Sequence, residues 1–188
     1  MRERFYSSWT FDEMMAAAQA KTDLWRSIRS RATVEGEAVR RIESLDCTWH
    51  LLVLSEDWCS DSASTVPFVD ELAARAWNLD LRILSRDRNP DLMDSHLTDG
   101  TLRAIPVVIL LDEDFREVDW WGPRPVPLRE WLAREGVVFD KDAKLRERRR
   151  WYARDHGRTA IEEIVAMIEH AAETAHCAAG ASASTSAP

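Results

Sequence analysis

The chain has 188 residues and carries 33 acidic against 25 basic side chains, a net charge of −8. That balance argues against nucleic-acid binding, which usually shows as a basic face, and against a polybasic membrane anchor. No apolar run approaches the roughly 20 residues of a membrane span. The opening stretch MRERFYSSWTFDEMM lacks the apolar segment of a signal peptide, so a cytoplasmic protein is expected. Cys47, Cys59 and Cys177 are odd in number and too widely spaced for a disulfide framework or a four-ligand zinc site. Neither a metal nor another cofactor is expected.

Residues 10–31 read as one amphipathic helix. Thr10 offers an N-cap with Glu13 three residues on, and Phe11, Met14, Met15, Ala18, Leu24, Trp25 and Ile28 recur at roughly helical spacing. Gly36 marks a break before a second helix over 37–45. Residues 48–55, TWHLLVLS, form a near-continuous apolar run that suits a buried central strand. A helix follows over 61–77, with Pro67 predicting a kink.

A second strand covers 80–85. Residues 88–97 are polar with scattered apolars and suit a short helix or ordered loop after Asn89-Pro90. The apolar strand 107–112 is entered through Ile105-Pro106, and a turn at DEDFRE leads into the strand 116–121. Gly122-Pro123-Arg124-Pro125 stops that strand. Helices are predicted over 126–134, 142–154 and 159–174. The ending AAGASASTSAP has nothing to bury and reads as disordered.

Strands alternating with helices predict an α/β fold whose central mixed β-sheet is flanked by helices, the last two strands antiparallel. The chain divides into an N-terminal helical extension (1–45), an α/β core (46–135), C-terminal helices (136–174) and the tail (175–188). The extra helices are expected to cover sheet edges or the back of the sheet, or to form a homodimer contact. Cys47 reads as structural. The tryptophans Trp120, Trp121, Trp131 and Trp151 read as core or helix-packing residues, and the basic run 146–150 as a solvated face.

The chemically informative stretch is Glu56-Asp57-Trp58-Cys59-Ser60-Asp61-Ser62. It follows a buried strand and opens a helix. A cysteine there sits among unpaired backbone N–H groups at the positive end of the helix dipole. That placement favours thiolate over thiol, and the thiolate is the nucleophile of thiol–disulfide exchange. Asp61 so close by opposes the same ionisation. Arg124 is expected to pair with an acid or to meet an anionic substrate.

Trp58-Cys59-Ser60-Asp61-Ser62 resembles the Trp-Cys-x-x-Cys segment of the thioredoxin superfamily. It is most similar to the bacterial thioredoxin-like subgroup with Trp-Cys-x-Asp-Cys. Pro67 falls where that family's active-site helix carries its proline, and Ile105-Pro106 resembles its cis-proline loop. Trp121-Gly122-Pro123-Arg124-Pro125 is similar to a segment after the subgroup's last strand. The resemblance implies a thioredoxin-like fold from residue 48 to about 135. It implies Cys59 as nucleophile, and Trp58, Ile105 and Pro106 as the substrate-facing surface.

Ser62 stands where the family has its second cysteine. A serine hydroxyl cannot resolve a mixed disulfide; it can hydrogen-bond the thiolate or the adduct. The implied function is therefore a monothiol oxidoreductase in which Cys59 attacks protein disulfides or mixed disulfides with a low-molecular-weight thiol. The alternative is a thioredoxin-fold module that binds a protein partner without turnover.

Overall fold

The structure is a computed structural model and describes residues 1–174; the tail and Cys177 lie outside the described residues. Four strands, β1 (Trp49–Ser55), β2 (Leu79–Ser85), β3 (Val107–Leu111) and β4 (Glu117–Trp121), form one sheet in the order β2-β1-β3-β4. β1 runs parallel to β2 and antiparallel to β3, and β3 and β4 are antiparallel. The sheet is thus mixed, with an antiparallel last pair as the sequence predicts.

β1 is central and buried along its whole length. Leu51 and Val53 join the larger apolar cluster on one face, while Leu52 and Leu54 join the smaller cluster on the other. Burial on both faces is what makes the strand read as a continuous apolar run rather than an alternating one.

The larger cluster packs the sheet against α5 (Ser60–Arg75) and α9 (Arg158–Thr174), and extends to Phe11, Trp25 and Ile42 of the N-terminal helices. Those helices are α1 (Arg2–Tyr6), α2 (Phe11–Ala17), α3 (Thr22–Arg29) and α4 (Gly36–Glu43). Phe5 of α1 fills the opposite face with Leu92 and Met93 of α6 (Pro90–Asp94). Trp9 exchanges backbone hydrogen bonds with Ile83 at 3.0 and 2.7 Å, so the N-terminal segment occupies the outer edge of β2, which would otherwise present open pairing groups. Cys47 packs against the larger cluster, in keeping with a structural cysteine.

The single helix predicted over 10–31 is two. Thr10 caps α2 through a capping box with Glu13, as its spacing predicts. The chain then leaves the helix at Ala18 and re-enters after Lys21, which is left-handed. The backbone N–H groups of Gln19 and Ala20 donate instead to the Asp57 carboxylate at 2.7 and 2.9 Å. A tertiary acceptor outcompetes the helical pattern there.

The remaining helices are α7 (Val126–Arg134) and α8 (Lys141–Asp155). α8 has little apolar surface, and Tyr152 is its buried anchor. Among the described residues no helix is long and apolar enough to cross a membrane.

Candidate active site

Cys59 is the N-cap of α5, and its sulfur accepts the Ser62 backbone N–H at 3.4 Å. The thiol donates to the Ile105 carbonyl at 3.4 Å. Cys59 is a free cysteine and is 8% exposed. The Ile105-Pro106 peptide is cis. The sequence-predicted Cys59, Ile105 and Pro106 are therefore brought together from two elements far apart in the chain.

Trp58, the residue before the cysteine, is 42% exposed. Its ring lies under the Arg86 guanidinium, 4.8 Å from the ring centroid, and Arg86 also donates to the Arg103 carbonyl at 3.2 Å. A cation over an aromatic face is attracted by the ring quadrupole, so Trp58 stays at the surface in a fixed orientation. Ser62 is fully buried. Its backbone meets the sulfur, and its hydroxyl has no hydrogen-bond partner.

The loop holding Cys59 is braced from three directions. Asp57 accepts the two backbone N–H groups of the α2–α3 break, and its carbonyl accepts the Trp25 indole N–H at 2.8 Å. Glu56 accepts from the Ser85 hydroxyl and the Asp87 N–H at 2.7 and 2.9 Å, fixing the loop to the end of β2. Lys21 donates to the Ser60 hydroxyl. Sequence reasoning missed these braces; the pair Glu56-Asp57 directly before Trp58 was their one visible trace.

Asp61 is 4% exposed. Its Oδ2 accepts from Arg124 Nε and Nη2 at 2.9 and 2.6 Å, and its Oδ1 lies 3.2 Å from Arg148 Nε. Two guanidiniums thus face one carboxylate. Arg124 and Arg148 offset the Asp61 charge two residues from Cys59. Arg124 takes the acid-pairing role. Arg148 corrects the reading of 146–150 as a purely solvated face: one of its arginines turns inward to a buried acid. Burial and the Asp61 charge also push the neighbouring Tyr152 phenol well above its ordinary range.

The segment after β4 closes the site from behind. Glu163 of α9 accepts the Trp121 indole N–H at 2.7 Å and the Val126 N–H at 2.8 Å, so one carboxylate holds both ends of Gly122-Pro123-Arg124-Pro125. Gly122 has φ +148, and a Cβ there would lie 2.3 Å from the Pro106 carbonyl oxygen. Only glycine lets the two loops approach this closely. Among the described residues no three His, Cys, Asp or Glu side chains are placed to hold a metal ion.

A four-stranded mixed sheet with a cysteine at a strand–helix junction, faced by a cis-proline loop, defines a thioredoxin-like α/β protein. The chain belongs to the thioredoxin family, whose profile, described as thioredoxin, matches residues 8–154. Two crystal structures share the fold. One is a protein of unknown function from Pseudomonas aeruginosa, at 23% identity and TM-score 0.69, the match covering 90% of this chain and 97% of that one. The other is an HIV epitope scaffold, at 21% identity and TM-score 0.70, with the same coverages. No curated protein matches the chain.

Proposed function

We propose that this thioredoxin-fold protein is a monothiol thiol–disulfide oxidoreductase with Cys59 as its nucleophile. The observation that carries the reading is the seat of the Cys59 sulfur. It rests on a backbone N–H at the start of α5, against the Ile105-Pro106 loop, with the nearby Asp61 charge compensated by two arginines. Exchange requires a thiolate nucleophile, and a helix N-terminus is one of the settings in which reactive cysteines occur.

The Cys59 thiolate attacks one sulfur of a mixed disulfide between a protein and a small thiol. An S–S bond forms between Cys59 and the small thiol while the original S–S bond breaks, and the protein thiolate leaves and takes a proton. A second small thiol then attacks the Cys59 adduct. It carries away the bound sulfur as a small-molecule disulfide and returns Cys59. In sum one small thiol is consumed for each protein thiol released, the disulfide passing to the small-molecule pair, and that incoming thiol supplies the function that Ser62 cannot.

The test is turnover of a glutathionylated peptide with excess glutathione. Release of the reduced peptide over many cycles, lost in Cys59→Ser, is the expected result. The absence of turnover, with Cys59 alkylated by iodoacetamide no faster than free cysteine, would overturn the reading.

The 8% exposure of Cys59 and its bond to the Ile105 carbonyl favour a second reading, a protein-binding module. A partner would then occupy the surface by Trp58 and Pro106 without turnover.

A further inference from the structure

α3, α5 and α8 line a cavity of about 260 Å³ that opens to solvent, and its wall includes Ser64 and Ser60 of α5, the latter directly following Cys59. The apolar walls are Leu24, Ile28, Phe68 and the ring of Tyr152, and the rim carries Arg31, Arg149 and His156. No acidic side chain lines it. Three carboxylates lie next to lining residues in the chain, and each has another partner: Asp23, at the exposed start of α3, lies 3.9 Å from Arg26. Asp61 pairs with Arg124 and Arg148, and Asp155 caps α9 through the Thr159 N–H and hydroxyl. In a chain of net charge −8, this is a local surplus of positive charge over an apolar floor.

The rim arginines are available. Among the described residues neither Arg31 nor Arg149 has a carboxylate at ion-pair distance. Arg31 is also oriented. Its Nε donates to the Ser27 carbonyl at 2.8 Å and its Nη2 to the Ser27 hydroxyl at 2.9 Å, which leaves Nη1 uncommitted. The floor is fixed too. Gly157 has φ +72, and a Cβ on it would lie 2.3 Å from the Phe68 ring. The α8–α9 corner therefore presses directly on that ring and leaves it no room to swing. Apolar walls with a few convergent polar groups are the usual make-up of a small-molecule site.

We infer that this cavity binds a small amphipathic carboxylate, its apolar body between Ile28 and Phe68 and its head on Arg31 and Arg149. The volume of about 260 Å³ lies just below the roughly 300–1,000 Å³ of ordinary ligand pockets, so the ligand is small. A linear carboxylate of medium length or a single-ring aryl carboxylate is small enough. Guanidinium meets carboxylate in matched, charge-assisted geometry, and an ammonium head would be repelled. The inference does not depend on the chemistry of Cys59.

Octanoate is the probe, titrated into the full chain by calorimetry. Saturable one-site binding with Kd below about 1 mM is expected, while octylammonium gives none. Arg31→Gln with Arg149→Gln weakens octanoate by roughly tenfold or more. Ala153→Trp, placed to fill the cavity, abolishes binding; should it disturb folding, the two exposed arginine substitutions carry the test. Cys59→Ser binds octanoate as the wild type does, so a failure here is separate from a failure of thiol exchange. No saturable binding, equal affinity for octylammonium, or an affinity unmoved by the arginine substitutions overturns the inference.

Discussion

Arg148, near the middle of α8, sets its Nε 3.2 Å from the buried Asp61 carboxylate, two residues past Cys59 in the first turn of α5. With Arg124 on the other oxygen, this ion triad links the start of the active-site helix to the segment after β4 and to α8. An acid in the first turn of a helix is ordinary. Its burial here is tolerated only because both oxygens meet guanidinium groups.

The first prediction separates the partners of that triad. Asp61→Asn leaves two guanidiniums facing each other with no counter-charge, and breaking a buried pair in this way costs about 3–5 kcal/mol. Arg148→Gln leaves Asp61 its bond to Arg124, so the loss is smaller, about 1 kcal/mol. Urea unfolding measures both. Amide exchange over 141–155 is expected to quicken in Arg148→Gln, because α8 has little else than Tyr152 holding it. An Arg148→Gln variant as damaging as Asp61→Asn would contradict this division.

The second prediction concerns Ser62. Its hydroxyl is fully buried without a partner, so stability gains nothing from it. Ser62→Ala is expected to be neutral or stabilising by up to about 1 kcal/mol. Ser62→Cys places a second thiol one helical turn from Cys59, where it can resolve an adduct internally. That variant should reduce protein disulfides with dithiothreitol as electron source, while the wild type does so feebly. Equal rates in the two would show that an internal resolving thiol is not what limits this protein.

Features set by nearby residues were legible in the sequence. The Thr10 capping box spans three residues, and the apolar run of β1 follows from burial on both faces. Features set by distant partners were not. The break between α2 and α3 depends on Asp57, 38 residues from Gln19, and no local signal at residues 18–21 competes with the apolar spacing around them. α1 is too short to show a period, and Phe5 alone anchors it in the core.

The same division holds at the site. Cys59 and the Ile105-Pro106 loop came from motifs. Arg148 was hidden in a run of like charges, any of which satisfies the same pattern. Glu163 sits in an unremarkable helical stretch, and its role appears only when Trp121 and Val126 converge on it.

The third prediction tests how closely the two loops behind Cys59 approach. Gly122→Ala puts a Cβ 2.3 Å from the Pro106 carbonyl oxygen and 3.2 Å from the Val107 Cα, at a φ of +148. Both neighbours are backbone, so neither can swing aside as a flexible side chain would. The expected cost is about 3 kcal/mol, with loss of any exchange activity at Cys59 in the fraction that still folds. A variant with unchanged denaturation midpoint would show that the Gly122 loop is free to retreat.

The last prediction takes a carboxylate that works against the fold. Asp70 of α5 is pushed up to about 6, first by burial; Arg29 opposes the shift, and Asp12 and Glu71 reinforce it. Its ordinary value is 3.8. Between these values the folded chain keeps a proton that the unfolded chain has lost, so stability falls as pH rises through about 4 to 6 and stays lower above. Asp70→Asn removes that penalty. At 1.36 kcal/mol per pKa unit the ceiling is about 3 kcal/mol. With the side chain 23% exposed and Arg29 lying 3.9 Å away, a gain of about 1 kcal/mol is expected at pH 7.5. In a chain of this size that raises Tm by roughly 2–4 °C. The gain should shrink steadily on acidification and vanish near pH 4. Thermal unfolding of both proteins across that range checks it, and a benefit that does not change with pH would assign it to packing rather than to the Asp70 charge.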